Sequence, residues 1–292
     1  MNRYKSQAGQ ILIHESYDQL LSDWNVPHEQ QDIMTSYGNT HVIIVGEEVN
    51  PPLLLLHGVG DNSAMMWIYN IEHLSKQFYV IAVDAIGGSG KSEPNEHYWK
   101  AFDQTIWLDE VLESLKIEET SIAGVSYGAY LAYHYAIMRP SKVKKIVCMA
   151  GVVASSHGET IWKMIKAFLP EALFPTKNNT KRLLKKLCGP NYKVFENNNA
   201  LMNHWYYLLK YFNNKSMQKH KTIIFNNTQI QSIREKSLFI IGEQDILSYY
   251  PKAIHKLQEN HLNYKIVKQA GHAVNHEQAA EINAELSDYL LA

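Results

Sequence analysis

Short apolar runs alternating with longer helical patterns constrain this chain more than any other feature. The runs fall at residues 40–45, 53–57, 79–84, 120–125, 145–150, 238–242 and 264–268. Several are apolar throughout, as in Leu53-Leu54-Leu55-Leu56 and Leu238-Phe239-Ile240-Ile241. A strand with one wet face alternates polar and apolar residues, so an unbroken apolar run implies cover on both faces and a mostly parallel sheet. Helical patterns lie between the runs, near residues 64–76, 102–115, 127–138, 249–259 and 277–291. In the last, Ala280, Ile282, Leu286, Tyr289 and Leu290 give much of an apolar stripe, and Asn275 with Gln278 resembles a capping box at its start. The alternation predicts a doubly wound α/β domain.

The rhythm breaks between Val152 and Arg234. No strong strand pattern occurs there, but helical stretches do, rich in Trp162, Phe168, Phe174, Trp205, Tyr206, Tyr207, Tyr211 and Phe212. Roughly 80 residues is too long for a loop, so an inserted helical cap is expected. The chain of 292 residues then divides three ways. Residues 1–151 form the first part of the core with an N-terminal extension, 152–234 the helical cap, and 235–292 the second part of the core. With 46% hydrophobic residues the chain can bury a sizeable core.

Charge narrows the function classes. Lys+Arg 28 against Asp+Glu 29 leaves a net −1, with no basic excess to advertise nucleic acid or an anionic membrane. No stretch approaches the roughly 18 apolar residues needed to cross a bilayer, and the first residues lack the apolar region of a signal peptide. A soluble cytoplasmic protein acting on a small molecule, with no nucleic-acid or membrane partner, is the expectation. Cys148 and Cys188 form no metal-type pair, and Cys148 in an apolar run reads as a buried, reduced thiol.

The chemistry centres on Gly124-Val125-Ser126-Tyr127-Gly128, which follows the strand pattern Ser121-Ile122-Ala123 and opens a helical one. A serine on a tight strand-to-helix turn has strained backbone, and flanking glycines relieve the crowding. The turn pushes the hydroxyl above the sheet, beside a helix N-terminus with a free N–H at Tyr127. A serine hydroxyl needs a base, and the base needs orienting. Asp245 lies just past the 238–242 strand and His272 just past the 264–268 strand, and open α/β sheets place their sites at such strand ends. The order Ser126, Asp245, His272 is that of a nucleophile–acid–base triad. The 53–57 strand ends in His57-Gly58-Val59-Gly60, whose glycines let the Val59 N–H join that of Tyr127 in an oxyanion hole.

Rival readings exist for several residues. Glu243 could replace Asp245 as the acid, but reads better as a solvated or capping carboxylate. His57 reads as a brace for its loop rather than a base. His276 stands four residues after His272, yet the glutamate of the H-E-x-x-H zinc motif is missing and no third ligand suggests itself, so no metal is expected. Residues 83–92 end in Gly-Lys-Ser, close to a phosphate-binding loop, but Ala85 stands where that motif needs glycine and Pro94 interrupts the following helix. That segment reads as a turn shaping the pocket floor, and no cofactor is expected.

As a set, His57-Gly58, Asp84 with Gly87 and Ser92, Gly124 to Gly128, Gly242-Glu243-Gln244-Asp245 and Ala270-Gly271-His272 resemble the α/β-hydrolase superfamily, in its order. The resemblance covers nearly the whole chain from about Tyr37. Tyr17, Leu21 and Trp24, with Thr35-Ser36-Tyr37-Gly38-Asn39-Thr40-His41-Val42, are similar to the Bacillus carboxylesterase NP group. One departure is plain: the usual Arg-Gly-His-Gly turn reads Ala85-Ile86-Gly87-Gly88-Ser89-Gly90. The resemblance implies the α/β-hydrolase fold and a carboxylesterase-like serine hydrolase working through an acyl-enzyme, while the aromatic-rich insertion and the lack of a charge excess point to an uncharged, fairly apolar small-molecule ester. The same residues would serve a C–C bond hydrolase, thioesterase, amidase or lactonase, or a small-molecule receptor on a hydrolase scaffold.

Overall fold

The computed structural model describes residues 2–153, 157–169 and 171–292, and of residues 157–162 the backbone alone. Among the described residues nine strands make one sheet: β1 (His28–Thr35), β2 (Gly38–Val45), β3 (Pro52–Leu56), β4 (Tyr79–Val83), β5 (Glu93–Pro94), β6 (Thr120–Val125), β7 (Val143–Met149), β8 (Ser237–Gly242) and β9 (Asn263–Val267). The order is β1-β2-β4-β3-β6-β7-β8-β9, with the short β5 on β2. From β4 to β9 every neighbouring pair is parallel, while β2 runs antiparallel to β1, β4 and β5. β6 and β8 are buried at every position, as the apolar stretches Ile122–Val125 and Leu238–Ile241 within them call for.

Six helices precede the long insertion: α1 (Gln7–Ser22), α2 (Ser63–Met66), α3 (Ile71–Leu74), α4 (Glu96–Lys100), α5 (Gln104–Ser114) and α6 (Tyr127–Met138). From Gly128 to Ala136 every residue of α6 is buried, as a helix apolar on all sides must be, and it lies against β3, β6 and β7. Between β7 and β8 the described residues contain no strand. They form α7 (His157–Phe168), α8 (Lys177–Leu187), α9 (Lys193–Glu196), α10 (Asn199–Tyr211) and α11 (Asn227–Gln231). After β8 come α12 (Pro251–Glu259), α13 (Val274–Glu277) and α14 (Ala279–Leu291). No helix is long and apolar enough to cross a membrane, among the described residues.

The inserted helices have a small core of their own, in which Ala167, Leu183 and Leu187 meet Phe168, Trp205, Leu209 and Leu247. Trp205, Tyr207 and Tyr211 also touch the main core, Phe212 is buried in it, and Phe174 stands 68% exposed. The side chain of Trp162 lies outside the described residues.

The sequence patterns missed α1, β1, β5 and α4 and misplaced two details. α1 hides its stripe because Ile11 and Leu12 fall beside the buried Ile13, Tyr17, Leu20 and Leu21. β1 is an edge strand, mostly polar, with Ile33 and Thr35 its buried residues. The single helix expected at residues 64–76 is two short ones, broken where the buried Asn70 turns its amide to Asn283 Oδ1 (2.8 Å) and the Asn275 carbonyl (3.2 Å). The capping box does not form. Asn275 sits inside α13 and donates to the Met66 carbonyl at 2.8 Å, while the Gln278 amide donates to the Lys268 carbonyl at 3.1 Å.

α6 approaches β3 so closely that a Cβ on Gly128 would stand 2.0 Å from the Leu56 carbonyl oxygen. Backbone cannot yield there as a flexible side chain can. Gly128→Ala should therefore cost more than the about 1–3 kcal/mol of ordinary overpacking. Urea denaturation tests this, and a variant as stable as the parent would show the approach to be looser than described.

Candidate active site

Ser126 stands between β6 and α6 with φ 57° and ψ −112°, a left-handed conformation that costs a non-glycine residue of order 1–3 kcal/mol. The surroundings hold it there. Its N–H donates to the Met149 carbonyl on β7 at 2.8 Å, and a Cβ on Gly124 would fall 2.1 Å from the Gly128 carbonyl oxygen. Only glycine lets strand and helix close to this distance, and the closure tips the serine side chain off the end of the sheet.

The hydroxyl meets His272 there: Ser126 Oγ and His272 Nε2 are 3.1 Å apart. His272 Nδ1 lies 3.1 and 3.0 Å from the two oxygens of Asp245. Asp245 is fully buried and also accepts the backbone N–H of Leu247 (2.8 Å) and Ser248 (3.1 Å) through Oδ1. Those bonds fix the carboxylate against the ring's Nδ1, leaving Nε2 to face the serine. Burial works against an imidazolium here, yet the adjacent Asp245 outweighs it and raises His272 above its ordinary value. Glu243 is exposed at the end of β8, and its backbone N–H donates to the Val267 carbonyl. The structure thus brings Ser126, His272 and Asp245 together and leaves Glu243 outside.

The other sequence candidates also have defined places. His57 is buried, donates from Nδ1 to the Gly58 carbonyl at 2.8 Å and accepts the Ala85 N–H on Nε2 at 2.9 Å. It ties the loop after β3 to the turn after β4. Val59 N–H meets no protein acceptor among the described residues, and Tyr127 opens α6, where first-turn N–H groups lack intrahelical acceptors. The Gly-Lys-Ser segment closes around Asp84 rather than an open anion site. Lys91 N–H donates to Asp84 Oδ2 at 2.8 Å, the Ser92 hydroxyl donates to the Asp84 carbonyl at 2.6 Å, and Lys91 Nζ pairs with Asp18. His276 is buried in α13 against the Met65 carbonyl at 3.0 Å, and burial lowers it to about 4. No cluster suited to a metal ion occurs among the described residues.

A family profile described as alpha/beta hydrolase fold matches residues 51–176. The strand order, the serine turn and that match agree. The chain is an α/β hydrolase by fold. It is 27% identical to the carboxylesterase YbfK of Bacillus subtilis strain 168 over 287 residues, covering 96% of this chain and 94% of that one. A second relative from the same strain, an uncharacterized carboxylesterase called nap, is 26% identical over 97% of this chain and 93% of its own. The crystal structure of YbfK superposes with a TM-score of 0.81 at 25% identity, covering 97% of this chain and 98% of that one. The naproxen esterase structure, also from Bacillus subtilis, reaches 0.82 at 24% identity over 98% and 99%.

Two carboxyl groups of this chain stand beside His272 without having stood out in the sequence. Glu277, on α13, accepts the N–H of Gly271 at 2.8 Å and of Gly189 at 2.5 Å. It therefore ties the His272 loop to the segment that follows α8. Burial raises its carboxyl to about 7. Asp61, in the loop after β3, is raised to about 7 by burial, with the charge of His272 pulling the other way. Nothing in the pattern of either segment distinguishes these carboxylates from solvated ones; the only signal was closeness in sequence to Gly58 and to His272.

Glu277 makes stability depend on pH. Its folded value lies near 7 against an ordinary 4.5, so the native state keeps a proton that the unfolded chain has released. Stability should fall as pH rises from about 4.5 to about 7, with a slope no steeper than about 1.4 kcal/mol per pH unit. The difference in unfolding free energy between the parent protein and Glu277→Gln should carry that slope, measured by urea denaturation across the range. Parallel curves would remove Glu277 as the cause.

Proposed function

We propose that the chain is a serine carboxylesterase working through an acyl-enzyme, with Ser126 as nucleophile, His272 as general base and Asp245 as its orienting carboxylate. One observation carries the assignment: the unbroken line of hydrogen-bonding distances from Ser126 Oγ through both ring nitrogens of His272 to Asp245. The likeness to two Bacillus carboxylesterases over nearly their full length supports the choice of ester.

In this mechanism His272 takes the Ser126 proton as the oxygen attacks the ester carbonyl, and Asp245 stabilises the imidazolium that results. The developing oxyanion accepts hydrogen bonds from Val59 and Tyr127 N–H, each such donor being worth about 10²–10³ in turnover. His272 returns the proton to the departing alcohol, then activates the water that releases the acid. The helices between β7 and β8 act as a cap whose aromatic side chains receive the apolar part of the substrate, and Leu247 joins their small core two residues beyond Asp245.

Two measurements test the proposal. A fluorophosphonate should modify Ser126 and no other residue, read by peptide mass spectrometry, and p-nitrophenyl esters should turn over. A folded protein that takes no label, or one that binds esters tightly without hydrolysing them, would defeat it. The second concerns pH. The base must be neutral to act, and His272 is raised above 6.5, so kcat/KM should climb with pH through a midpoint above that value. Asp245→Asn should lower the midpoint and cut kcat by about 10⁴. An unshifted midpoint with activity retained would remove Asp245 from its role.

A further inference from the structure

The loop after β3 carries a charge that ester hydrolysis does not need. Asp61 is part-buried, and its side chain makes no hydrogen bond or ion pair among the described residues. A Cβ built on Gly58 would lie 3.2 Å from Asp61 Oδ2 and 3.3 Å from Ser126 Cβ. The carboxyl oxygen and the nucleophile's Cβ therefore stand no farther apart than those two distances together. Asp61 also lies close enough to His272 for each to shift the other's protonation.

The position is fixed. The Asp61 carbonyl accepts the Ser89 hydroxyl at 2.7 Å, and its N–H donates to the Gly58 carbonyl at 3.4 Å. The next residue, Asn62, caps α2 by accepting the Met65 N–H at 3.2 Å, and its amide donates to His204 Nε2 on α10 at 2.8 Å. The backbone, anchored on both sides, keeps the carboxyl near Ser126, and no side chain among the described residues pairs with it. Burial raises Asp61 to about 7, so it is part ionised at neutral pH, and its ionised form beside a forming oxyanion raises the energy of the transition state for an uncharged ester. Partial burial also disfavours that ionised form until it is paired. A cation on the substrate would remove both penalties at once.

We propose that Asp61 is a specificity-determining residue that selects esters carrying a protonated amine near the scissile carbonyl. The inference rests on the ester reading above and deepens it. The reacting carbonyl carbon approaches the serine oxygen to about 3–3.5 Å, so an ammonium paired with Asp61 belongs within two or three bonds of that carbonyl, as in α- and β-amino esters. The remaining, apolar part of the substrate is left to the cap.

Isosteric pairs test this directly: β-alanine methyl ester against methyl butanoate, and alanine methyl ester against methyl isobutyrate, at pH 7. The parent protein should favour the ammonium member of at least one pair by tenfold or more in kcat/KM. Asp61→Asn should reduce that ratio at least tenfold and raise turnover of the uncharged ester, and Asp61→Leu should do the same. A ratio unchanged in both variants overturns the proposal, as does an equal loss on both members of a pair, which would mark Asp61 as a support for the loop or for His272. Fluorophosphonate labelling of the same preparations separates the two levels. Labelled Ser126 with no amine preference defeats the role of Asp61 alone, whereas folded protein without label defeats the ester reading and this inference with it.

Discussion

The contact between the N-terminus of α6 and the end of β3 governs the rest of the site. With no side chain at Gly128, the Leu56 carbonyl can approach the helix backbone, and with none at Gly124 the strand can turn into the helix at once. The turn forces the left-handed backbone of Ser126, and the approach sets the loop that follows β3 directly beside it. Gly58, at the head of that loop, comes so close that a Cβ on it would lie 3.3 Å from Ser126 Cβ and 3.2 Å from Asp61 Oδ2. A single added methyl group at Gly128 would move the serine and that loop apart together. The strain at Ser126 is thus distributed over a parallel sheet whose inner strands are buried on both faces, which is why so short a turn can hold it.

Three carboxyl groups near His272 show how environment divides one chemistry into several tasks. Asp245 is buried but meets two backbone N–H groups and the imidazole, which hold its carboxyl against Nδ1. Glu277 is buried among fewer donors, its two backbone contacts joining the His272 loop to the chain beyond α8. Asp61 has no donor at all among the described residues. The first is bonded to His272, the second ties the His272 loop to the chain beyond α8, and the third is left without a partner among the described residues.

Much of this was legible in the amino-acid sequence because it depends on backbone periodicity. Unbroken apolar runs end where the sheet ends, so Ser126, Asp245 and His272 could each be located at a strand's end before their side chains were seen together. The paired glycines around Ser126 marked the sharp turn. What escaped is set by side-chain direction, which periodicity does not encode. Asp61 after a glycine loop has the same pattern as a solvated turn, and Glu277 sits in a four-residue helix too short for a stripe. β1 escaped because an edge strand buries little, and α1 because Ile11 and Leu12 blur its face. The capping box expected at Asn275 failed for a related reason: its amide finds the Met66 carbonyl and Asn70, partners far away in the chain.

α1 has a consequence for the site that its place at the start of the chain conceals. Its Ser16 hydroxyl meets His204 Nδ1 at 2.7 Å, and His204 Nε2 accepts from Asn62 at 2.8 Å. Burial lowers His204 to about 3, so the ring stays neutral and its two nitrogens keep opposite roles, one donating to Ser16 and the other accepting from Asn62. A helix before the sheet, a helix inserted after β7 and the loop after β3 are therefore locked by one imidazole. α1 also lies so close to α10 that a Cβ on Gly9 would meet the Tyr211 side chain at 2.6 Å. Because Asn62 follows Asp61 directly, a displacement of α10 is transmitted to Asp61 through a single neutral histidine. The inserted helices therefore act on the loop after β3 by fixing the backbone beside Asp61.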